Sequence, residues 1–312
     1  MSIRDELLVQ RSNEALATYE SNFGPLPGIA TAECRGSFVR QLVASTRRNL
    51  FVEHVSDTDL SPSRCDPLSG KFDPLKAAVL LRRAGEADEA FWMLFLFVHF
   101  GRHRAAGWRY AASVYGRLGS GGRWDWASVS SDVTGFRNWL DANAARVRGT
   151  GPHGFGNHRK YESLSGWSNT GTGAAVASYV DWVGPTSTHL PKFEAARTFA
   201  SGDSSAAYDT LFQSMSSVRR FGRTARFDYL SMTGKLGLAD VSPGRAYLVG
   251  STGPLRGARL LFGSSGDREY SAQALDERLI ELNEYLAMGF DVLEDALCNW
   301  QKSPALFRPF RG

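Results

Sequence analysis

Two aspartates stand in settings suited to charge or proton chemistry. Asp276 follows Ala274 and Leu275 and precedes Leu279, Leu282 and Leu286, which places it near the start of an amphipathic helix. A carboxylate there can stabilise positive charge developing on a sugar while it orients water, or it can simply cap the helix. Asp228 sits with Tyr229 in FDYL, between Phe227 and Leu230, a setting that predicts a buried carboxylate beside a pocket-lining tyrosine. Ahead of Asp276, the run LVGSTGPLRGARLL (248–261) reads as a glycine turn opening a helix. Gly250, Ser251, Thr252 and Gly253, followed by Leu255, Arg256 and Gly257, are the candidate DNA contacts. Backbone without Cβ atoms can approach a phosphate, which the positive end of the helix dipole favours. A plain helix-turn-helix would give a similar pattern.

Other polar groups suggest a substrate pocket. His99 and His103 are four apart, so a helix would show both on one face. No third ligand stands at a motif spacing, so no metal is expected, and the pair is read as contacting a base or its sugar or as a satisfied core pair. In GPHGFGNHRKYESL (151–164), Asn157 and His158 can hydrogen-bond a sugar or base edge and Tyr161 can stack, with Lys160 beside them as a further pocket candidate. A solvated loop is the plainer reading of that segment. Of Trp124, Trp126, Trp139, Trp167 and Trp182, most should pack the core, although one could stack on an extruded base.

Helices must position these groups. Amphipathic patterns cover 3–20 and 38–55, and Asp73-Pro74 provides an N-cap and a first-turn proline for a helix that Gly85 stops. Residues 87–100 read as a buried helix and 105–119 as another. Residues 120–220 are rich in Gly, Ser, Thr and Trp with weak periodicity, and suggest loops with short strands near 178–184. From 221 the pattern is helical again, with 223–263 reading as helix, loop, helix, hairpin, helix.

Composition is that of a globular chain: 43% hydrophobic, 22% charged, 36 Lys+Arg against 32 Asp+Glu and a net charge of +4. Arginines cluster at 102, 104 and 109, at 219, 220, 223 and 226, and at 256 and 259, as phosphate contacts would require. Three scattered cysteines argue for a reducing compartment, and the longest apolar run, 90–100, is well short of the ~20 residues of a membrane span. A cytoplasmic monomer is expected, with no cofactor and no membrane partner.

The glycine turn resembles the hairpin of helix-hairpin-helix DNA glycosylases, with one extra residue between the glycines. In that superfamily a catalytic aspartate opens a helix roughly twenty residues after the hairpin, which corresponds to Asp276. Arg256 stands where bifunctional members carry a Schiff-base lysine, and an arginine cannot attack C1′. The resemblance therefore implies a monofunctional, water-using glycosylase. A longer resemblance, carried by DPLKAAVLLRRAGEADEAFWMLFLFVHFGRH (73–103), FDYLSMTGKLGL (227–238) and YLVGSTGPLRGARLLFG (247–263), is to the family of alpha-glutamyl/putrescinyl thymine pyrophosphorylases, clade 3. It implies action on a hypermodified pyrimidine in DNA, in phage base modification or in antiviral defence.

The combined expectation is a mainly α, helix-hairpin-helix DNA-glycosylase-like fold of two lobes with a cleft between them. A helical core would span 73–119, an irregular insertion with a substrate loop 120–220, and the hairpin with the catalytic helix 221–300. The leading expectation is a DNA N-glycosylase that flips and excises a modified base such as glucosylated 5-hydroxymethylcytosine from double-stranded DNA. The alternatives are a transferase that displaces pyrophosphate from hydroxymethyluracil in DNA, with Asp276 as its base, and a non-enzymatic DNA-binding module.

Overall fold

A computed structural model describes residues 3–151, 154–156, 162–264 and 269–309. In chain order its helices are α1 (Ile3–Phe23), α2 (Ala32–Asp57), α3 (Pro74–Arg83), α4 (Ala87–Phe100), α5 (Arg109–Tyr115), α6 (Trp126–Ser131) and α7 (Val133–Arg148). They continue with α8 (Thr172–Val183), α9 (Leu190–Phe199), α10 (Ser204–Ser214), α11 (Arg223–Lys235), α12 (Gly253–Phe262), α13 (Ala272–Leu286) and α14 (Phe290–Trp300). Among the described residues there are only isolated bridges, His103 with Gly107 and Ser163 with Gly171, in place of strands. The chain is mainly α, as its patterning predicts, and no described helix is long and apolar enough to cross a membrane.

The chain divides into two compact units, one made of residues 1–52 and 243–312, the other of 53–242. In the first unit, leucines of the α13 stripe (Leu275, Leu279, Leu282) join Leu16, Phe38, Leu42, Leu261, Leu293 and Trp300 in one buried cluster. The helix α12 lies unusually close to α14. A Cβ on Gly253 would meet Cys298 Sγ at 2.7 Å, and one on Gly257 would meet the Leu297 carbonyl oxygen at 2.5 Å. These two glycines are thus required by helix packing.

In the second unit, α4 is apolar on nearly every side and buries ten of its residues, from Ala90 to Phe100, as the centre of the core. Its neighbour α3 starts as expected: the Asp73 carboxylate accepts the N–H groups of Leu75 and Lys76, and Pro74 occupies the first turn. Residues 120–220 depart from expectation: their described part contains five α-helices, α6 to α10. Asp125, Asp132 and Asp203 cap α6, α7 and α10 by accepting N–H bonds from Ser128, from Gly135, and from Ser205 and Ala206. The supposed strands near 178–184 are the second half of α8.

The segment 223–263 also differs. After α11 no helix forms until Gly253, so a turn leads directly into α12. Pro243 lacks an N–H and forces Ser242 towards an extended conformation, and Gly244 follows, so a helix cannot propagate there. The turn closes with Ser251 N–H on the Leu248 carbonyl at 3.0 Å, with Gly250 at φ 76°.

Candidate active site

The first turn of α4 projects two carboxyl groups, Asp88 and Glu89, from a helix whose remaining turns are buried in apolar core. Beside them open α6, the end of α5 and the loop before Asp125, and together these surround a cavity of about 730 Å³. Glu86, Asp88, Glu89, Tyr115, Arg123 and Asp125 supply its ionisable lining, with Cys65 and Trp126 alongside. The volume lies within the range of small-molecule sites.

Glu89 is the most perturbed of these groups. Its Oε2 accepts the Trp126 N–H at 2.6 Å, while Oε1 is enclosed without a hydrogen bond of normal length. Burial, reinforced by Asp125 and Glu86, outweighs the Trp126 N–H and the nearby Tyr115 hydroxyl and raises its pKa from 4.5 to about 7. Tyr115 is itself held firmly neutral by burial and by Glu89, with Arg123 pulling the other way. A carboxyl that exchanges its proton near neutrality, faced by a cation, is suited to general acid–base work.

Asp88 leads from the cavity into the core. Its Oδ1 accepts both the backbone N–H and the Nδ1–H of His189, each at 2.7 Å. Burial resists ionisation of Asp88, but the His189 bonds prevail and lower its pKa. His189 is fully buried, and that burial lowers its own pKa against the pull of Asp88, so the ring is neutral near pH 7. Its Nε2 then accepts the Tyr179 hydroxyl at 2.8 Å, and Tyr179 in turn pairs with the Tyr229 hydroxyl at 2.7 Å. The chain Asp88–His189–Tyr179–Tyr229 ties Asp88, the one member that lines the cavity, to the buried core.

Trp126 lines this cavity, but none of the described residues singled out as catalytic, DNA-contacting or pocket-lining does. Asp276 is 6% exposed in α13, where Ser271 is the actual cap, and its Oδ2 accepts the Leu248 N–H at 2.8 Å, bracing the turn before α12. Asp228 is exposed, because the helical period carries it away from the buried face of Phe227 and Leu230. Tyr229 is fully buried. His99 is also fully buried, with Nε2 on the Thr172 hydroxyl at 3.0 Å. His103 is not on the same helix, since Gly101, at φ 62°, ends α4 between them. Its Nδ1 instead accepts the N–H groups of Ala105 and Ala106.

In the glycine turn, Gly250, Thr252 and Arg256 are exposed, Leu255 is half-buried, and Ser251 Oγ accepts the Leu255 N–H at 3.2 Å. Asn157, His158, Lys160 and Tyr161 lie outside the described residues. The cavity groups were missed because they come from separate segments with no common spacing. The one local signal was Asp88-Glu89 at the head of an otherwise apolar helix.

A family model described as alpha-glutamyl/putrescinyl thymine pyrophosphorylase clade 3 matches residues 33–312. The chain belongs to that family. No curated protein matches it, and no solved structure does. Membership of the thymine pyrophosphorylase family overturns the expected enzyme class: the family is named for a pyrophosphorylase, a transferase activity on a modified base, and not for hydrolysis of an N-glycosyl bond. It supports a role in DNA-base modification, and it spans the whole of the second compact unit and the first from residue 33 onward. Among the described residues, no group of three or more His, Cys, Asp and Glu is arranged to hold a metal ion.

Proposed function

We propose that this protein is a DNA-base-modifying transferase that joins an amine to the 5-methylene carbon of a thymine-derived base and releases pyrophosphate. The substrate would be a 5-hydroxymethyl pyrimidine in DNA whose hydroxyl already carries a diphosphate. The family match over residues 33–312 carries this reading, and the cavity at the head of α4 supplies chemistry that suits it. A free amine is protonated at neutral pH and must lose a proton before its nitrogen can attack. Glu89, ionised in a growing fraction of molecules as pH passes about 7, accepts that proton. The new N–C bond forms as the C–O bond to the diphosphate breaks, and Arg123 offsets the charge on the departing group. The carboxylates of Asp88 and Asp125 favour a cationic amine over a neutral one.

Pyrophosphate release tests the proposal. Purified protein is incubated with DNA bearing 5-(diphosphooxymethyl)uracil, with and without putrescine or glutamate, and pyrophosphate is measured enzymatically. The reading expects release that requires both the diphosphate on the base and the amine. Release of free base without pyrophosphate would overturn it.

A further inference from the structure

Trp167 breaks the pattern of the other tryptophans. Of the eight in the chain, Trp92, Trp124, Trp126, Trp182 and Trp300 are nearly fully buried and Trp108 and Trp139 are partly so, while Trp167 is 48% exposed. Leaving that much of the largest apolar side chain in water has a cost that packing against α7 does not require.

The exposed ring is also held in place. Its Nε1–H donates to Asn138 Oδ1 at 3.1 Å, and the Arg137 guanidinium carbon lies 4.0 Å from the ring centroid. The loop beneath is tied down from the same helix: Asp141 Oδ1 accepts Ser165 Oγ at 3.2 Å and the Gly166 N–H at 3.1 Å, while Arg137 Nε donates to the Gly166 carbonyl at 2.8 Å. Only glycine fits at 166, because a Cβ there would overlap the Arg137 carbonyl. Ser165 Oγ accepts the Trp167 and Ser168 N–H groups. Two positions further on, Asn169 Oδ1 accepts a bond from the Arg219 guanidinium at 2.7 Å. A flat aromatic surface is thereby fixed in advance, with Arg137 lying over one face of the ring and Arg219 tied to Asn169 in the same loop.

From this arrangement we infer that Trp167 is a stacking platform for an unpaired DNA base, with Arg137 and Arg219 engaging the adjoining phosphates. The inference rests on DNA being the substrate, and charge selects the occupant: a half-exposed indole backed by one guanidinium, with a second guanidinium tied to the same loop, suits an anionic strand that carries flat bases. Holding the ring rigid before binding lowers the entropy lost on contact. Stacking of this kind typically contributes ~1–3 kcal/mol per base, which corresponds to roughly 5- to 150-fold in affinity.

Fluorescence anisotropy with a labelled duplex containing one unpaired thymine, in the absence of any amine, tests this at fixed salt. Trp167→Ala should weaken binding at least fivefold with an unchanged melting temperature, and Trp167→Phe should recover most of the affinity. Binding of Trp167→Ala within twofold of wild type would overturn the platform and leave the transferase reading intact. Failure of the wild-type protein to bind the duplex at all would overturn both. Loss of affinity in Trp167→Ala with normal wild-type binding, yet no pyrophosphate release in the separate assay, would uphold the platform and sink the transferase.

Discussion

Glu89 gains its chemistry from a conflict between burial and ionisation, and that conflict makes it measurable in two ways. As a base it must be deprotonated, so the transfer rate at saturating amine should rise with pH through about 7 and fall about tenfold per unit well below it. Glu89→Gln should lower kcat by roughly 10²–10⁴ and remove that limb of the profile. The same shift is linked to stability. The carboxyl holds its proton up to about 7 when folded and releases it near 4.5 when unfolded, so stability is greatest below pH 4.5 and declines as pH rises to 7, by an order of about 3 kcal/mol. Glu89→Gln lacks this loss. Its melting temperature should therefore gain on wild type as pH is raised from 5 to 8, and a gap independent of pH would mean that Glu89 does not titrate in the fold. Sequence drew attention to Asp276 instead, a carboxylate whose visible task is to hold the Leu248 N–H. Linear spacing reveals helix faces, whereas Glu89 meets Tyr115, Arg123 and Asp125 only through folding.

At the level of elements, local capping chemistry was legible and weak periodicity misled. Asp73-Pro74 announced α3 because cap and first turn are adjacent in sequence. The same capping logic was present at Asp125, Asp132 and Asp203, but Gly, Ser and Thr inside or beside those helices blurred their apolar stripes. The glycine turn was legible as a turn, yet Gly253 and Gly257 are explained by the approach of α14. Gly257→Ala should accordingly destabilise the protein by about 1–3 kcal/mol as it pushes against the Leu297 carbonyl. Gly36→Ala, in α2 with open space around its Cβ, should stabilise it by ~0.5–1 kcal/mol. Urea denaturation of the two variants measures both signs, and equal effects would show that close packing is not what demands glycine at 257.

At the scale of the whole molecule, the mainly helical class and the family were both readable from sequence, since long apolar and amphipathic segments persist through most of the chain. The reaction was not, because a glycine turn followed by an aspartate carries no information about which bond of a modified nucleotide breaks. Mass analysis of the nucleoside product decides that most directly. DNA bearing 5-(diphosphooxymethyl)uracil is treated with the protein and ¹⁵N-labelled putrescine or glutamate, digested to nucleosides and weighed. The account predicts an intact deoxynucleoside that carries the labelled nitrogen, in amounts equal to the pyrophosphate released. Unlabelled nucleoside together with abasic sites would contradict it.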